Sequence, residues 1–126
     1  MPKLIHDIAG APGAVGPYSV ATEANGFVFV SGQVGIDPAS GQLVEGGVVA
    51  EARQIMTNVG VVLEALGLGF ADVVKTTIFL TDMADFAAVN EVYGEFVAES
   101  KPARSTVSVA GLPLGVAVEI ETIAAR

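Results

Sequence analysis

The sequence predicts a single α+β domain in which two helices cover one face of a five- or six-stranded mixed sheet. Its 126 residues suffice for one domain with one core. Two segments carry apolar residues at helical spacing, whereas the other regular segments are rich in β-branched residues. Gly and Pro clusters separate these segments in the order ββ-α-β-α-ββ, and a further strand near Lys3–Ile8 is left open.

The first two predicted strands form a hairpin. Tyr18–Ala24 runs into Asn25-Gly26, which is the strongest short signal for a tight hairpin turn. Phe27–Ser31 follows as a strand that is apolar on both faces. Asp37–Gly41 is predicted to be a turn, because Pro presets its backbone and Gly closes it.

The first predicted helix covers Val48–Leu66. Gly67 follows it as a natural end, since glycine readily adopts the left-handed conformation found there. Its apolar face is formed by residues at intervals of three and four, namely Val48, Ala52, Ile55, Met56, Val59, Leu63 and Leu66.

A β-branched strand, Val73–Leu80, precedes the second helix. Asp82 is placed to cap this helix, and Asp85 lies in its first turn, where the helix dipole favours acids. Lys101-Pro102 ends it. The apolar stripe of the helix is formed by Phe86, Val89, Tyr93 and Phe96.

Two more strands, Arg104–Val109 and Val116–Ile123, are joined by Gly111–Gly115. Several predicted strands are apolar on both sides, so the sheet needs a cover on each face. Two helices can cover only one of them. We therefore expect neighbouring copies of the chain to cover the second face.

The amino-acid composition limits the classes of function that the chain can have. Apolar residues make up 52% of the chain and the mean hydropathy is +0.61, yet no window approaches the ~18 uncharged apolar residues of a membrane span. The start lacks an apolar signal-peptide core, so the cytoplasm is the default location. The net charge of −8 argues against nucleic-acid binding, which needs clustered Lys and Arg side chains. The absence of Cys excludes disulfides and thiolate catalysis.

Arg104 is the most informative candidate for chemistry. If the last two strands pair symmetrically about Leu112–Pro113, then Arg104, Thr106, Glu119 and Glu121 share one face. A guanidinium can grip a carboxylate by two hydrogen bonds, and a nearby acid can orient water. The alternative is a structural Arg–Glu pair at a sheet edge, which the pattern by itself slightly favours.

Other polar residues are less distinctive by themselves. Ser31-Gly32 offers a hydroxyl and an approachable backbone at a strand end, although Gly32 is also a natural start for a turn. Tyr18 follows a rigid Gly-Pro dipeptide. His6 is the only histidine, and one His without Cys predicts no zinc site.

As an ordered set, the motifs of this chain resemble the RidA/YjgF family. The similarity extends over essentially the whole sequence. The motifs that carry it are Gly16-Pro17-Tyr18-Ser19, Phe29-Val30-Ser31-Gly32-Gln33, Ile36-Asp37-Pro38, Asp72–Leu80, Phe86-x-x-Val89-Asn90, Pro102–Val107 and Val118–Glu121.

The resemblance implies a chorismate-mutase-like (bacillus-type) fold and a homotrimer with active sites in clefts between subunits. It implies 2-iminobutanoate/2-iminopropanoate deaminase activity, in which reactive imines and enamines of 2-amino acids are hydrolysed to 2-keto acids and ammonia. Such a hydrolase limits metabolite damage by intermediates that leave pyridoxal-phosphate enzymes. The resemblance implies no metal and no organic cofactor.

Site residues follow from the same resemblance. Arg104 would bind the substrate carboxylate, and Glu119 would position water or relay protons. The pocket would be lined by Tyr18, Ser31, Gly32, Asn90 and Thr106. The chain departs from other family members at three positions: many have Gln at Val20, some have Cys at Thr106, and Lys is frequent at Leu114. Alternatives are a non-catalytic carboxylate-binding module, a ribonuclease or translation inhibitor, and a chorismate mutase.

Overall fold

The structure, a computed structural model, describes residues 2–126 and contains one mixed sheet with two helices packed against it. In chain order its elements are β1 (Lys3–Ile5), β2 (Ala21–Ala24), β3 (Phe27–Gln33), β4 (Ile36–Asp37), β5 (Gln42–Leu43), α1 (Val48–Ala65), β6 (Val73–Leu80), α2 (Phe86–Val97), β7 (Ala103–Ser108) and β8 (Val118–Ala125). The predicted α+β architecture is confirmed, and β1 adds the strand that the sequence left open.

The main sheet has six strands in the order β1-β2-β3-β8-β6-β7. Every neighbouring pair is antiparallel except β6 and β7, which run parallel because α2 carries the chain back between them. Strands β4 and β5 form a separate two-stranded hairpin around the predicted turn. The sheet is therefore mixed, as expected.

Local signals in the sequence account for most element ends. Asn25 and Gly26 have φ angles of 53° and 82°, so the β2–β3 hairpin turn has two left-handed residues. Gly67 has φ 75° and donates to the Glu64 carbonyl, while the Leu68 N–H donates to the Leu63 carbonyl. This pair of bonds ends α1 as predicted.

The second helix begins slightly later than predicted. Asp82 accepts a hydrogen bond from the Ala84 N–H at 2.9 Å, but the turn that it caps, Met83–Asp85, is a short 3₁₀ segment leading into α2. Lys101 follows the helix with φ 44°, and its N–H donates to the Val97 carbonyl. Asp82 therefore caps the 3₁₀ turn that precedes α2.

The core lies between the two helices and one face of the sheet. Ile55, Met56 and Leu63 of α1 are at most 1% exposed, as are Ile78 and Ile120 of the sheet. The opposite face has no helix on it within residues 2–126. Phe27 and Phe29 alternate with buried valines on β3 and are each 44% exposed on this second face, which we call the open face.

Candidate active site

Arg104 lies on β7, the edge strand, and its side chain points to the helix-covered face of the sheet. Its partner across the ladder is the buried Thr76 of β6. Because α2 packs on this face, the guanidinium reaches the helix, and Nη1 donates a hydrogen bond to Oδ1 of Asn90. The Arg104 side chain is nevertheless exposed, so it remains open to a ligand.

Two aromatic rings flank the same guanidinium. The Cζ atom of Arg104 lies 5.4 Å from the ring centroid of Phe86 and 5.4 Å from that of Tyr93. With Asn90, these residues occupy positions i, i+4 and i+7 of α2, and therefore share one helix face. Tyr93 is itself fixed by a 2.7 Å hydrogen bond between its buried hydroxyl and that of Thr76.

The Arg104 guanidinium is therefore held in a fixed orientation and still has unused N–H donors. A guanidinium has five N–H groups, and one of them is committed to Asn90. The two rings and the amide restrict the rotation of Arg104, so less conformational entropy is lost when a carboxylate binds. This arrangement suits two-point recognition of a small organic acid.

Thr106 lies beside this group. Its Oγ1 is buried and has no hydrogen-bond partner within the described part of the chain. A small depression between β7 and α2 brings it together with Arg104 and Asn90. An unsatisfied buried hydroxyl needs a partner, and a ligand held by Arg104 can supply one.

The other four predicted site residues line one cleft at the open face. Tyr18, Ser31, Gly32 and Glu119 surround a cavity of about 600 Å³. The remaining lining residues are Val15, Val34, Ile36, Pro113, Leu114 and Glu121. The cleft is large enough for a small organic acid and presents two carboxyl groups to it.

Gly32 and Glu119 are in close contact. A Cβ atom placed on Gly32 would lie 2.5 Å from Oε2 and 2.8 Å from Cδ of Glu119. Real Cβ atoms do not approach a carboxyl group so closely, so any side chain at residue 32 must displace Glu119. Glycine at residue 32 therefore leaves room for the Glu119 carboxyl group in its present position, and it has no positive φ.

The hydroxyl groups of Ser31 and Tyr18 each form one hydrogen bond with the backbone of the segment 15–19. The Ser31 hydroxyl donates to the Ser19 carbonyl at 2.6 Å, which leaves its oxygen as an acceptor. The Tyr18 hydroxyl accepts from the Val15 N–H at 3.4 Å and keeps its own proton available. Tyr18 is 47% exposed, which fits a lining residue better than a core residue.

The pKa of Glu119 is raised above its ordinary value. Burial is the larger cause, because it disfavours the charged form, and the negative charge of Glu121 adds to it. A glutamate with a raised pKa exchanges protons more readily near neutral pH than an exposed one. This property suits an acid that handles protons on a substrate or on water.

The predicted pairing of the last two strands is wrong. β6 lies between β7 and β8 in the sheet. Arg104 of β7 is paired with Thr76 of β6, which is paired in turn with Thr122 of β8. In the same way, Thr106 is paired with Ile78, and Ile78 with Ile120. Thr122 and Ile120 alternate with Glu119 and Glu121 along β8 and therefore point the other way. Arg104 and Thr106 do not share a face with the two acids.

The seven predicted site residues thus form two groups in one protomer. Arg104, Asn90 and Thr106 meet on the helix-covered face, and the other four meet in the open-face cleft. Residues missed at the sequence level include Phe86 and Tyr93, which were interpreted only as a core stripe. Their spacing from Asn90 along α2 was the signal that placed all three on one face.

Two further findings concern residues 2–126. They contain no helix that is long and apolar enough to cross a membrane. They also contain no cluster of three or more His, Cys, Asp or Glu side chains arranged to hold a metal ion.

Comparisons with known proteins agree with the fold and with the motifs. The profile of the family described as Endoribonuclease L-PSP matches residues 8–126. A goat (Capra hircus) protein named 2-iminobutanoate/2-iminopropanoate deaminase is 53% identical over 124 residues, which cover 98% of this chain and 90% of the relative.

Solved structures of similar proteins superpose over nearly the whole chain. YyfA of Yersinia pestis, described as a member of the conserved Rid protein family, matches with a TM-score of 0.95, 40% identity and 100% coverage of both chains. E. coli TdcF, solved with bound serine, matches with a TM-score of 0.91 and 42% identity, covering 98% of this chain and 99% of that one.

Proposed function

The chain belongs to the Endoribonuclease L-PSP family, which is the RidA/YjgF family that its motifs resemble, and we propose that it is a hydrolytic deaminase of 2-imino and 2-enamino acids. The proposed substrates are 2-iminobutanoate and 2-iminopropanoate. Mammalian relatives that carry this activity in their names are about half identical to the chain over nearly its full length. The products are a 2-keto acid and ammonia.

The observation that supports this reaction most directly is the fixed guanidinium of Arg104. Asn90, Phe86 and Tyr93 hold it, while most of its N–H donors remain unused. A 2-imino acid carries a carboxylate next to its C=N carbon, so gripping the carboxylate also fixes the reacting carbon. The serine bound in the TdcF relative is likewise a small molecule with a carboxylate.

In the proposed reaction, water adds to the C=N carbon. Glu119 takes a proton from the water as the new C–O bond forms, and a proton passes to the nitrogen. The amino nitrogen of the resulting carbinolamine then receives a proton, the C–N bond breaks, and ammonia leaves, while the hydroxyl proton passes to the Glu119 carboxylate as the C=O bond of the keto acid forms. No electrons are exchanged with a cofactor, and one water is consumed.

The chemistry requires only modest acceleration. Imines hydrolyse in water without a catalyst, so lowering the barrier by about 3–6 kcal/mol would already give a useful enzyme. Holding the substrate by Arg104 beside an oriented water, with one proton relay at Glu119, can supply that amount. We extend the proposal to removal of reactive imines in the cytoplasm as metabolite damage control.

We propose that each active site is shared between two subunits of a homotrimer. Arg104 and Glu119 lie on opposite faces of the sheet within one protomer, so they cannot act on one small substrate there. The open face also exposes Phe27 and Phe29, which a neighbouring subunit would cover. In a cyclic trimer, the β7 edge of one subunit can bring Arg104, Asn90 and Thr106 to the open-face cleft of the next.

A coupled assay tests the activity. Threonine dehydratase generates 2-iminobutanoate, and semicarbazide competes with the protein for it. Wild-type protein should lower semicarbazone formation. Arg104→Ala should lower kcat/KM about a hundredfold, because a paired charged contact contributes ~3 kcal/mol. Arg53→Ala is the matched control, since that exposed arginine pairs with Glu95 instead. Equal trapping with and without wild-type protein would reject the deaminase.

A carboxylate-binding module is the second candidate, and the serine-bound relative is the observation that favours it. Such a module would use the same Arg104 grip without turnover. Calorimetry with 2-ketobutanoate separates the two roles. A binding module would bind the keto acid through Arg104 while leaving semicarbazone formation unchanged.

The ribonuclease alternative receives little support from the surface charges. The chain carries 14 acids and six bases. Arg53 is paired with Glu95 and Arg126 with Glu23, so two of the few cations are already neutralised. RNA binding depends on Lys and Arg side chains that are free of ion pairs and can replace counterions along the phosphate backbone.

A further inference from the structure

Glu51 is a buried acid that the proposed reaction does not use. It lies in the first turn of α1 and is 8% exposed, and no other charged side chain in residues 2–126 is as deeply buried. The Ala117 N–H donates a hydrogen bond to its Oε1 at 3.0 Å. A buried carboxyl group lowers stability unless its oxygens are hydrogen-bonded, so this bond shows where the side chain acts.

The bond from Glu51 holds the backbone just before Glu119. Ala117 directly precedes β8 and lies two residues before Glu119, and its carbonyl accepts a hydrogen bond from the Thr81 N–H at 3.2 Å. The residues on either side of Ala117 are valines that are at most 1% exposed. Without the Glu51 oxygen, the Ala117 N–H would lose its partner at a place that these valines shield from water.

The backbone of Glu51 packs against the other segment that borders Glu119. Gly35 follows β3, and a Cβ atom placed on Gly35 would lie 2.9 Å from Cα of Glu51. Gly32, three residues earlier, has the close contact with the Glu119 carboxyl group. The register of β3 on β8 shifts at this point, so regular strand pairing does not fix the two segments there. Glu51 connects them instead.

We propose that Glu51 is a positioning residue for Glu119, because it fixes the two backbone segments, 32–35 and 117–119, between which the Glu119 carboxyl group is held. This inference rests on the proposed deaminase function, in which Glu119 takes a proton from water. The Oε1 acceptor carries the role. Loss of the bond lets the start of β8 move, and the Glu119 carboxyl group then shifts toward solvent. The grip of Arg104 on the substrate is unaffected, since it depends on α2 and β7.

The test compares Glu51→Gln with Glu51→Met. Both side chains match glutamate in length, but only glutamine keeps an oxygen acceptor for the Ala117 N–H. In Glu51→Met, kcat for 2-iminobutanoate should fall about tenfold while KM stays within about twofold. Glu51→Gln should keep kcat within about twofold of wild type. Val62→Ala is the control for lost stability, because Val62 is fully buried about three turns further along α1. It should leave kcat unchanged.

A carbon-13 NMR titration of the Glu119 carboxyl group, assigned with Glu119→Gln, gives a measurement that does not depend on turnover. Burial raises the pKa of Glu119, with a further contribution from Glu121. A carboxyl group that moves toward water has a lower pKa, so Glu119 should titrate at lower pH in Glu51→Met than in wild type. It should titrate as in wild type in Glu51→Gln and Val62→Ala. All three variants keep Tyr18 and Glu121, the other titratable residues of the cleft.

The positioning role is overturned if Glu51→Met lowers stability but leaves kcat and the Glu119 titration unchanged. Equal losses of kcat in Glu51→Met and Glu51→Gln would also overturn it, because the acceptor oxygen would then not be what matters. If wild-type protein hydrolyses no imine, the deaminase proposal fails, and the titration still decides whether Glu51 holds Glu119 in place.

Gly35→Ala replaces Glu51→Met if the latter does not assemble like wild type. Its new Cβ would lie 2.9 Å from Cα of Glu51 and must push α1 away, whereas Gly35 has no positive φ that alanine would strain. The pKa of Glu119 should again fall in the titration. An unchanged pKa in Gly35→Ala would overturn the positioning role.

Discussion

The side chains of Arg104 and Glu119 leave opposite faces of one sheet. Arg104 points toward α2 from the edge strand β7, and Glu119 points from β8 into the cleft at the open face. Within one protomer, these two proposed site residues therefore cannot contact the same small substrate. A proposal that uses both residues on one substrate requires a second subunit.

Mixing two impaired variants tests this shared site directly. Arg104→Ala and Glu119→Gln should each retain at most about a hundredth of wild-type activity when assayed alone. In randomly mixed trimers, about one in four interfaces joins an intact Arg104 to an intact Glu119, so about a quarter of wild-type activity should return. The measurement is the semicarbazone competition after the variants are unfolded and refolded together.

The control for this experiment is the same pair of proteins mixed without unfolding, which should gain no activity if subunits do not exchange. If the refolded mixtures regain no activity although light scattering shows a trimer, Arg104 and Glu119 do not act together across a subunit interface. Light scattering that shows a monomer would remove the basis of the shared site.

The aromatic rings around Arg104 give a second prediction. Phe86→Leu keeps an apolar side chain but removes one ring from the guanidinium, whose Cζ lies 5.4 Å from the ring centroid. An exposed cation–π contact contributes about 0.5–1 kcal/mol, so KM should rise about two- to fivefold with little change in kcat. Phe70→Leu is the control, because Phe70 packs on Phe96 instead. An unchanged KM in Phe86→Leu would show that the ring does not orient Arg104.

The hydrogen bond beneath Tyr93 predicts a change in stability. Tyr93→Phe leaves the ring under Arg104 but removes the partner of the buried Thr76 hydroxyl. We expect the free energy of unfolding to fall by about 1–3 kcal/mol, because a buried hydroxyl loses its partner. The double variant with Thr76→Val removes both polar groups and should recover part of that loss. Denaturant unfolding at a fixed protein concentration measures both effects.

Secondary structure was largely predictable because each element depends on nearby residues. The helical spacing in Val48–Leu66 and the Gly67 end reproduce α1 to within one residue. Val73–Leu80 was predicted with the bounds that β6 has. The Asn25-Gly26 turn needs only the conformational preferences of two residues.

Strand order was not predictable from the same local signals. The last two strands follow one another in sequence, so a hairpin about Leu112–Pro113 was the simplest expectation, yet β6 separates them. The strand–helix–strand order of β6, α2 and β7 was the better guide, because such crossovers usually join parallel neighbours in one sheet. That error placed Arg104 and Glu119 on one face, whereas the candidate residues themselves could be named from the family motifs.

The raised pKa of Glu119 predicts how activity depends on pH. If catalysis uses ionised Glu119 to take a proton from water, activity falls as the pH drops through its pKa, and the raised pKa places this acid limb above that of an exposed glutamate. Glu121→Gln removes the neighbouring negative charge. The pKa of Glu119 should then fall, and the acid limb should move to lower pH.

The measurement is kcat/KM against pH, after subtraction of uncatalysed imine hydrolysis at each pH. Glu64→Gln, an equivalent change at an exposed residue of α1, should leave the acid limb in place. An acid limb that does not move in Glu121→Gln would assign it to another group.

The contact between Gly32 and Glu119 predicts a loss of activity without a loss of fold. In Gly32→Ala, the new Cβ would lie 2.5 Å from Oε2 of Glu119, so the carboxyl group must swing away. Gly32 does not have a positive φ, and alanine therefore adds no backbone strain. Displacing a catalytic group by about 1 Å can lower the rate about a hundredfold, so kcat should fall by about that factor while the melting temperature stays within a few degrees. Gly111→Ala is the matched control, because a Cβ there meets no atom within 4 Å. Full activity in Gly32→Ala would mean that the position of the Glu119 carboxyl group does not limit the reaction, and Glu119 would then lose its proposed role.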